Sequence, residues 1–194
     1  VQTAGDIVTT GDPVDFLQGV TLTENIVVDT TSSGNTAGNN IAFQGVLNAA
    51  TAGTQSVSLN GGTGGAVTFT GAVGNTGTNR LNQLDITNAG SVSVDSTLYA
   101  VSVFQTATTG ATTFTGAVNT SGIAGLDLNG FSYSVNAGVT TAGGGPVTIT
   151  NSGLLNIGPA GDMNLDGAFT QDGTAAVQTA GDIITTGEAV DFLR

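Results

Sequence analysis

The first eighteen residues, VQTAGDIVTTGDPVDFLQ, return almost unchanged as the last eighteen, VQTAGDIITTGEAVDFLR. Fourteen positions are identical; the exceptions are Val8/Ile184, Asp12/Glu188, Pro13/Ala189 and Gln18/Arg194. The first copy starts at Val1 and the second at Val177. A globular domain has no reason to finish as it began, whereas a stack of like units does. The chain therefore reads as one complete long repeat, 1–176, followed by the start of the next, 177–194. The expectation is a larger tandem array on which this chain is a window.

A finer period runs inside the long one. Short stretches such as Val67-Thr-Phe-Thr-Gly71, Ser91-Val-Ser-Val94, Thr112-Thr-Phe-Thr-Gly116 and Val147-Thr-Ile-Thr150 alternate apolar and polar residues between Gly-containing turns. Alternation with period 2 in Val, Thr, Ile and Phe marks half-buried strands. No sustained i, i+3, i+4 stripe is present, so little or no helix is expected. Taking one inward residue per segment gives Phe16, Phe43, Phe69, Val92, Phe114, Tyr133, Ile149, Phe169 and Phe192, eight steps that together span one long repeat. Units so short cannot bury a face alone but can stack. The fold class is all-β, a parallel β-helix or β-solenoid with about eight coils of ~22 residues per long repeat. The Ala-Gly strings at 4–5, 89–90, 137–138, 160–161 and 180–181 fall where sharp corners are needed. The polar stretches 30–40, 48–56 and 74–80 read as loops protruding from one corner.

Composition closes off most chemistry. The chain has no Cys and no His, which removes disulfides, thiol catalysis and the commonest general base and metal ligand. Its only basic side chains are Arg80 and Arg194, against fourteen Asp and Glu, for a net charge of -12. Two arginines cannot clothe a phosphate-binding face, so no nucleic-acid partner is expected. No run approaches the ~20 apolar residues of a membrane span, so no membrane insertion is expected in this segment. No basic region followed by an apolar stretch opens the chain, so no signal peptide is read within this window. Scarce Lys and Arg also leave trypsin almost nowhere to cut, which predicts a protease-resistant rod.

The strings GGGPVTITNSGLLNIG (143–158), GDMNLDGAFTQDGTAAVQTAGDI (161–183) and GGAVTFTGAV (64–73) resemble the giant repetitive bacterial cell-surface β-solenoids, filamentous-haemagglutinin-like and autotransporter-passenger-like adhesins. The resemblance covers essentially the whole chain. It implies a right-handed helix, secretion, an extracellular or cell-surface location, and a role as stalk, fibre or adhesin. It carries no catalytic residues to transfer.

Three kinds of site are weighed against that reading. Asp12 with Asp15, or Asp162 with Asp166, could pair as acid and base on a polysaccharide, yet no His or Lys stands by to assist. Turn formation and solubility explain these carboxylates, and no catalytic residue, cofactor-binding residue or enzyme activity is assigned. Corners of the Asp6/Asp182 type suit calcium, but Gly61-Gly-Thr-Gly-Gly-Ala66 carries Ala where the calcium nonapeptide carries its Asp. No metal ligand is named. Thr68/Thr70, Ser91/Ser93, Thr113/Thr115, Ser132/Ser134 and Thr148/Thr150 flank the inward residues, so five coils would show a flat hydroxyl array. The expectation is a structural module of an extracellular fibre, stalk or coat, with adhesion as the role attached first. The alternative is a binding module: a glycan- or calcium-binding adhesin, or an ice binder working through the Thr/Ser ladder. The expected partners are further copies of the same repeat, end to end in one polypeptide or by self-assembly, with lateral bundling beside it.

Overall fold

A computed structural model describes residues 1–193; Arg194, the last position of the second copy, lies outside them. The chain is a β-solenoid whose strands pair in parallel, each with its counterpart one coil away. Each coil contributes strands to three faces. Face I carries the eight strands Val14–Phe16, Ile41–Phe43, Ala66–Phe69, Ser91–Val94, Ala111–Phe114, Ser132–Val135, Leu155–Ile157 and Val177–Thr179. Face II begins with Gln2–Thr3, Val20–Leu22 and Leu47–Ala49 and continues through Val73, which bridges Leu47 and Leu98. It then passes through Val118–Thr120, Val139–Thr141 and Met163–Leu165 to Ile183–Thr185. Face III runs from Ile7–Val8 through Ile26–Asp29, Val57–Asn60, Leu126–Gly130, Val147–Asn151 and Phe169–Asp172 to Val190–Leu193. Faces II and III fuse at mid-length, where the long strands Leu81–Asn88 and Leu98–Gln105 turn the corner between them unbroken. The sole helical turn among the described residues is Ser32–Gly34, and its Ser33 has a φ of 58°.

Alternation decides which side chains go in. In Ser91–Val94 the serines are half-buried while both valines are buried. The interior is one continuous column of Val, Leu, Ile and Phe, and each such side chain taken out of water contributes about 1.5–3 kcal/mol. Phe16, Phe43 and Phe69 stack ring on ring, with centroids 4.6 and 5.3 Å apart and planes within 12° of parallel. Where face I bends into face II the backbones of successive coils nearly touch. A Cβ on Gly45 would collide with Gly19, and one on Gly71 with the carbonyl of Gly45. Only glycine fits there.

The true face I column is Phe16, Phe43, Phe69, Val94, Phe114, Val135, Ile157 and Thr179, with steps of 27, 26, 25, 20, 21, 22 and 22. The column expected from sequence follows it at Phe16, Phe43 and Phe69, leaves it at Val92, rejoins it at Phe114 and then strays. Val92 and Tyr133 belong to the neighbouring inward column of the same face, while Ile149, Phe169 and Phe192 lie on face III. The mean step is nevertheless preserved: successive coils lie ~22 residues apart along the chain.

The three polar stretches also divide differently from the expectation. Residues 31–40 lie at the corner between faces III and I, whereas 50–56 and 74–80 lie between II and III, so two corners carry them. Residues 48–49 belong to a strand. These segments stack as well: the Gly64 N–H donates to the Ala37 carbonyl and the Gly53 N–H to that of Arg80, each at 2.8 Å.

Candidate functional site

The outward side chains of face I, from first coil to last, are Asp15, Ala42, Thr68, Ser93, Thr113, Ser134, Asn156 and Gln178. Four successive hydroxyls stand in this column. The expected second column does not form, because the pairs are out of register. Ser91 stands beside Ala66 and Ala111, while the row of Thr70 meets Asp95 in the next coil. The Ser93 hydroxyl is spent on the Asp95 carboxylate. Thr148 and Thr150 lie on face III, where Thr148 sits between Asp127 and Thr170. The surface is thus a single hydroxyl row, four coils long, bordered by alanines, carboxylates and amides.

The carboxylates hold corners. The Asp6 Oδ1 accepts the Val27 N–H from the next coil at 2.8 Å, and the Asp162 Oδ1 accepts that of Asp182 at 2.9 Å. Asp166 accepts the Gly144 N–H at 2.8 Å and the Thr186 hydroxyl at 3.3 Å. Asp162 and Asp166 sit before and after the strand Met163–Leu165, at different corners, so the structure does not assemble them as an acid–base pair. Asp12 lies in a turn, its carbonyl accepting the Thr9 hydroxyl at 2.6 Å, while Asp15 points outward from face I. No group of three or more Asp, Glu, His or Cys converges among the described residues.

Several shallow grooves are open to solvent, and two of them hold a charged side chain of interest. One, of about 350 Å³, is lined by Asp6, Val27, Ser58, Gln83 and Asp85. Burial raises the Asp85 carboxyl above its ordinary range, and a 3.4 Å hydrogen bond from the Ser58 hydroxyl opposes that rise. The other surrounds Arg80, whose Nη1 donates to the Ser121 Oγ at 2.6 Å and Nη2 to the Thr76 carbonyl at 2.8 Å. Its guanidinium thus ties the long 74–80 corner to a later coil.

Sequence reasoning missed a polar cluster inside the column. The Gln105 amide donates to the Tyr133 hydroxyl at 2.8 Å and accepts from Thr112 at 2.9 Å, all three being buried. The signal was present in Thr112 and Gln105, polar residues at inward positions of the alternation.

The least satisfied surfaces are the two ends. The first strands of all three faces at one end, and the last at the other, present unpaired edges. Ile7, Val14 and Phe16 are only partly covered, and Phe192 is 45% exposed. No family model, no curated protein and no solved structure matches this chain.

Proposed function

We propose that this chain is a structural module of an extracellular fibre, stalk or surface coat, built by coaxial stacking of solenoid coils. The observation that carries the reading is the continuity of the stack from one long repeat into the next. The segment that begins the next long repeat is already a coil of the same stack. The function is mechanical: a stiff, acidic rod whose partner is a further copy of itself. The location outside the cell and the adhesive role rest on the resemblance to bacterial surface solenoids.

Electron cryo-microscopy of the assembled protein tests this. The expected power spectrum has a layer line near ~4.8 Å, the separation of stacked strands, along unbranched rods many chains long. Discrete particles one chain in length, at every concentration, would overturn the reading.

A further inference from the structure

The groove around Arg80 differs in charge from the other grooves of the rod. Asp85, Asp166 and Asp172 each line one of the others, whereas no Asp or Glu lines this one, of about 190 Å³. It holds instead the only basic side chain among the described residues, in a chain of net charge -12. That side chain leaves the 74–80 corner, spans the coil of Leu98–Gln105 and reaches Ser121 one coil further on. Both of its hydrogen bonds go to neutral oxygens, those of Ser121 and Thr76. The guanidinium is thus fixed in place, its remaining N–H groups are uncommitted among the described residues, and no carboxylate shares the groove to answer its charge. The floor is the outward column of face II, where Tyr99, Asn119 and Thr140 stand in register on three successive coils. Their neighbours Leu98, Val118 and Val139 are buried, so alternation turns these three side chains outward. Coils ~4.8 Å apart place a phenol, an amide and a hydroxyl where they reach substituents on opposite sides of one six-membered ring.

We propose that this groove binds a carboxylate-bearing sugar, one uronate ring, with the carboxylate on Arg80, ring hydroxyls on Asn119 and Thr140, and an apolar ring face against Tyr99. A planar guanidinium matches a carboxylate at two points. One cation balances one negative charge, whereas the second charge of a phosphate would go unanswered on a chain already this acidic. A free amino acid fits less well, because no carboxylate lines the groove to take its ammonium. The amide and hydroxyls of the floor are instead complementary to the hydroxyls of a sugar, since each can both donate and accept. The space is below that of a drug-sized pocket and suits a single ring. One chain carries the whole groove, so the inference stands apart from the fibre reading.

Methyl β-D-glucuronide, its neutral counterpart methyl β-D-glucoside, acetate and inorganic phosphate are each titrated into the isotopically labelled full chain, and the arginine Nε–H signals are followed by NMR. Arg80 and Arg194 are the only sources of such signals, so Arg80→Lys assigns them. The Arg80 signal is expected to shift saturably with the glucuronide, at roughly millimolar affinity. The glucoside, acetate and phosphate should each bind at least about tenfold more weakly. Arg80→Lys keeps the charge and loses the two-point geometry, and should weaken the glucuronide about tenfold, read from the Asn119 and Ser121 amides. Because that variant also loosens the 74–80 corner, Tyr99→Leu and Asn119→Ala, which leave both ties of Arg80 in place, are measured beside it. Each should weaken the glucuronide by about three- to tenfold. An Arg80 signal unmoved by ~20 mM glucuronide overturns the inference. So does equal binding of the glucoside, acetate or phosphate, and so does indifference to both floor variants, which would leave Arg80 as a tie between coils and nothing more.

Discussion

The coils of the first half and those of the second obey one plan at different lengths. On face I the first three steps, from Phe16 through Phe43 and Phe69 to Val94, are each longer than any of the four that follow, from Val94 to Thr179. The surplus is absorbed at corners, as at 31–40, 50–56 and 74–80, and the strands on either side stay in register. The longer coils also carry the aromatic stack of Phe16, Phe43 and Phe69, whereas Phe114 in the shorter coils lies between Val94 and Val135. The fold thus reads alternation and corner glycines, and it is indifferent to how much chain a corner spends.

The largest test of that contrast is Gly71→Ala against Gly77→Ala. The first puts a Cβ into the Gly45 backbone, while the second has nothing within 4 Å. Gly71→Ala should lose about 3 kcal/mol or more, and Gly77→Ala less than about 0.5, by urea unfolding. Equal effects would mean that close coil approach does not govern the corner.

Next comes Phe43→Ala against Phe114→Ala. Both empty a buried site, at about 3–5 kcal/mol each. Phe43 also gives up two stacked rings, so its loss should be the greater by about 1–2 kcal/mol. A difference of the opposite sign would show that the aromatic stack adds nothing to the longer coils.

A smaller pair compares neighbouring coils of the second half. The buried Thr120 Oγ1 has no hydrogen-bond partner, whereas Thr141, opposite it, donates to the Gly145 carbonyl at 2.5 Å and accepts from the Asp166 N–H at 3.0 Å. Thr120→Val should stabilise by about 1 kcal/mol and Thr141→Val should destabilise by a similar amount. Melting temperatures moving in the same direction would contradict this.

The smallest effect concerns Asp85, in the longer coils. Its carboxyl is raised by burial, so the folded state binds the proton more tightly than the unfolded one. Stability from this group is full at low pH and is lost as pH rises from the ordinary carboxylate value through the raised one. Asp85→Asn should flatten that slope slightly and leave acid stability unchanged, as read from denaturation midpoints across pH.

The stacking, the strand alternation and the mean coil length are legible in sequence because each has a local signature. Phe43 and Phe69 fall in the right column for the same reason. Val92 stands in for Val94 in the expected column because every strand offers two inward positions. Ile149 is misplaced onto face I because alternation reports inside against outside and says nothing of which of three faces a strand joins. The same blindness explains the hydroxyl array: Ser91/Ser93 and Thr68/Thr70 match as strings, yet pairing sets Ser93 beside Thr68. The one-face offset between the terminal copies, with Gln2 on face II and Gln178 on face I, depends on all the corner lengths between them, and no short string records it.

The unequal coils have a mechanical consequence. Stacked, each coil occupies only about 4.8 Å of length. Peeled from an end under tension, one coil of roughly 20–27 residues releases about 65–95 Å of chain. Each such event is an extensible slack many times the thickness it replaces, so a rod of these coils would lengthen stepwise before its backbone bears the load. The stride would be longer where coils of the first half let go and shorter in the second, which would make a fibre of them a graded shock absorber.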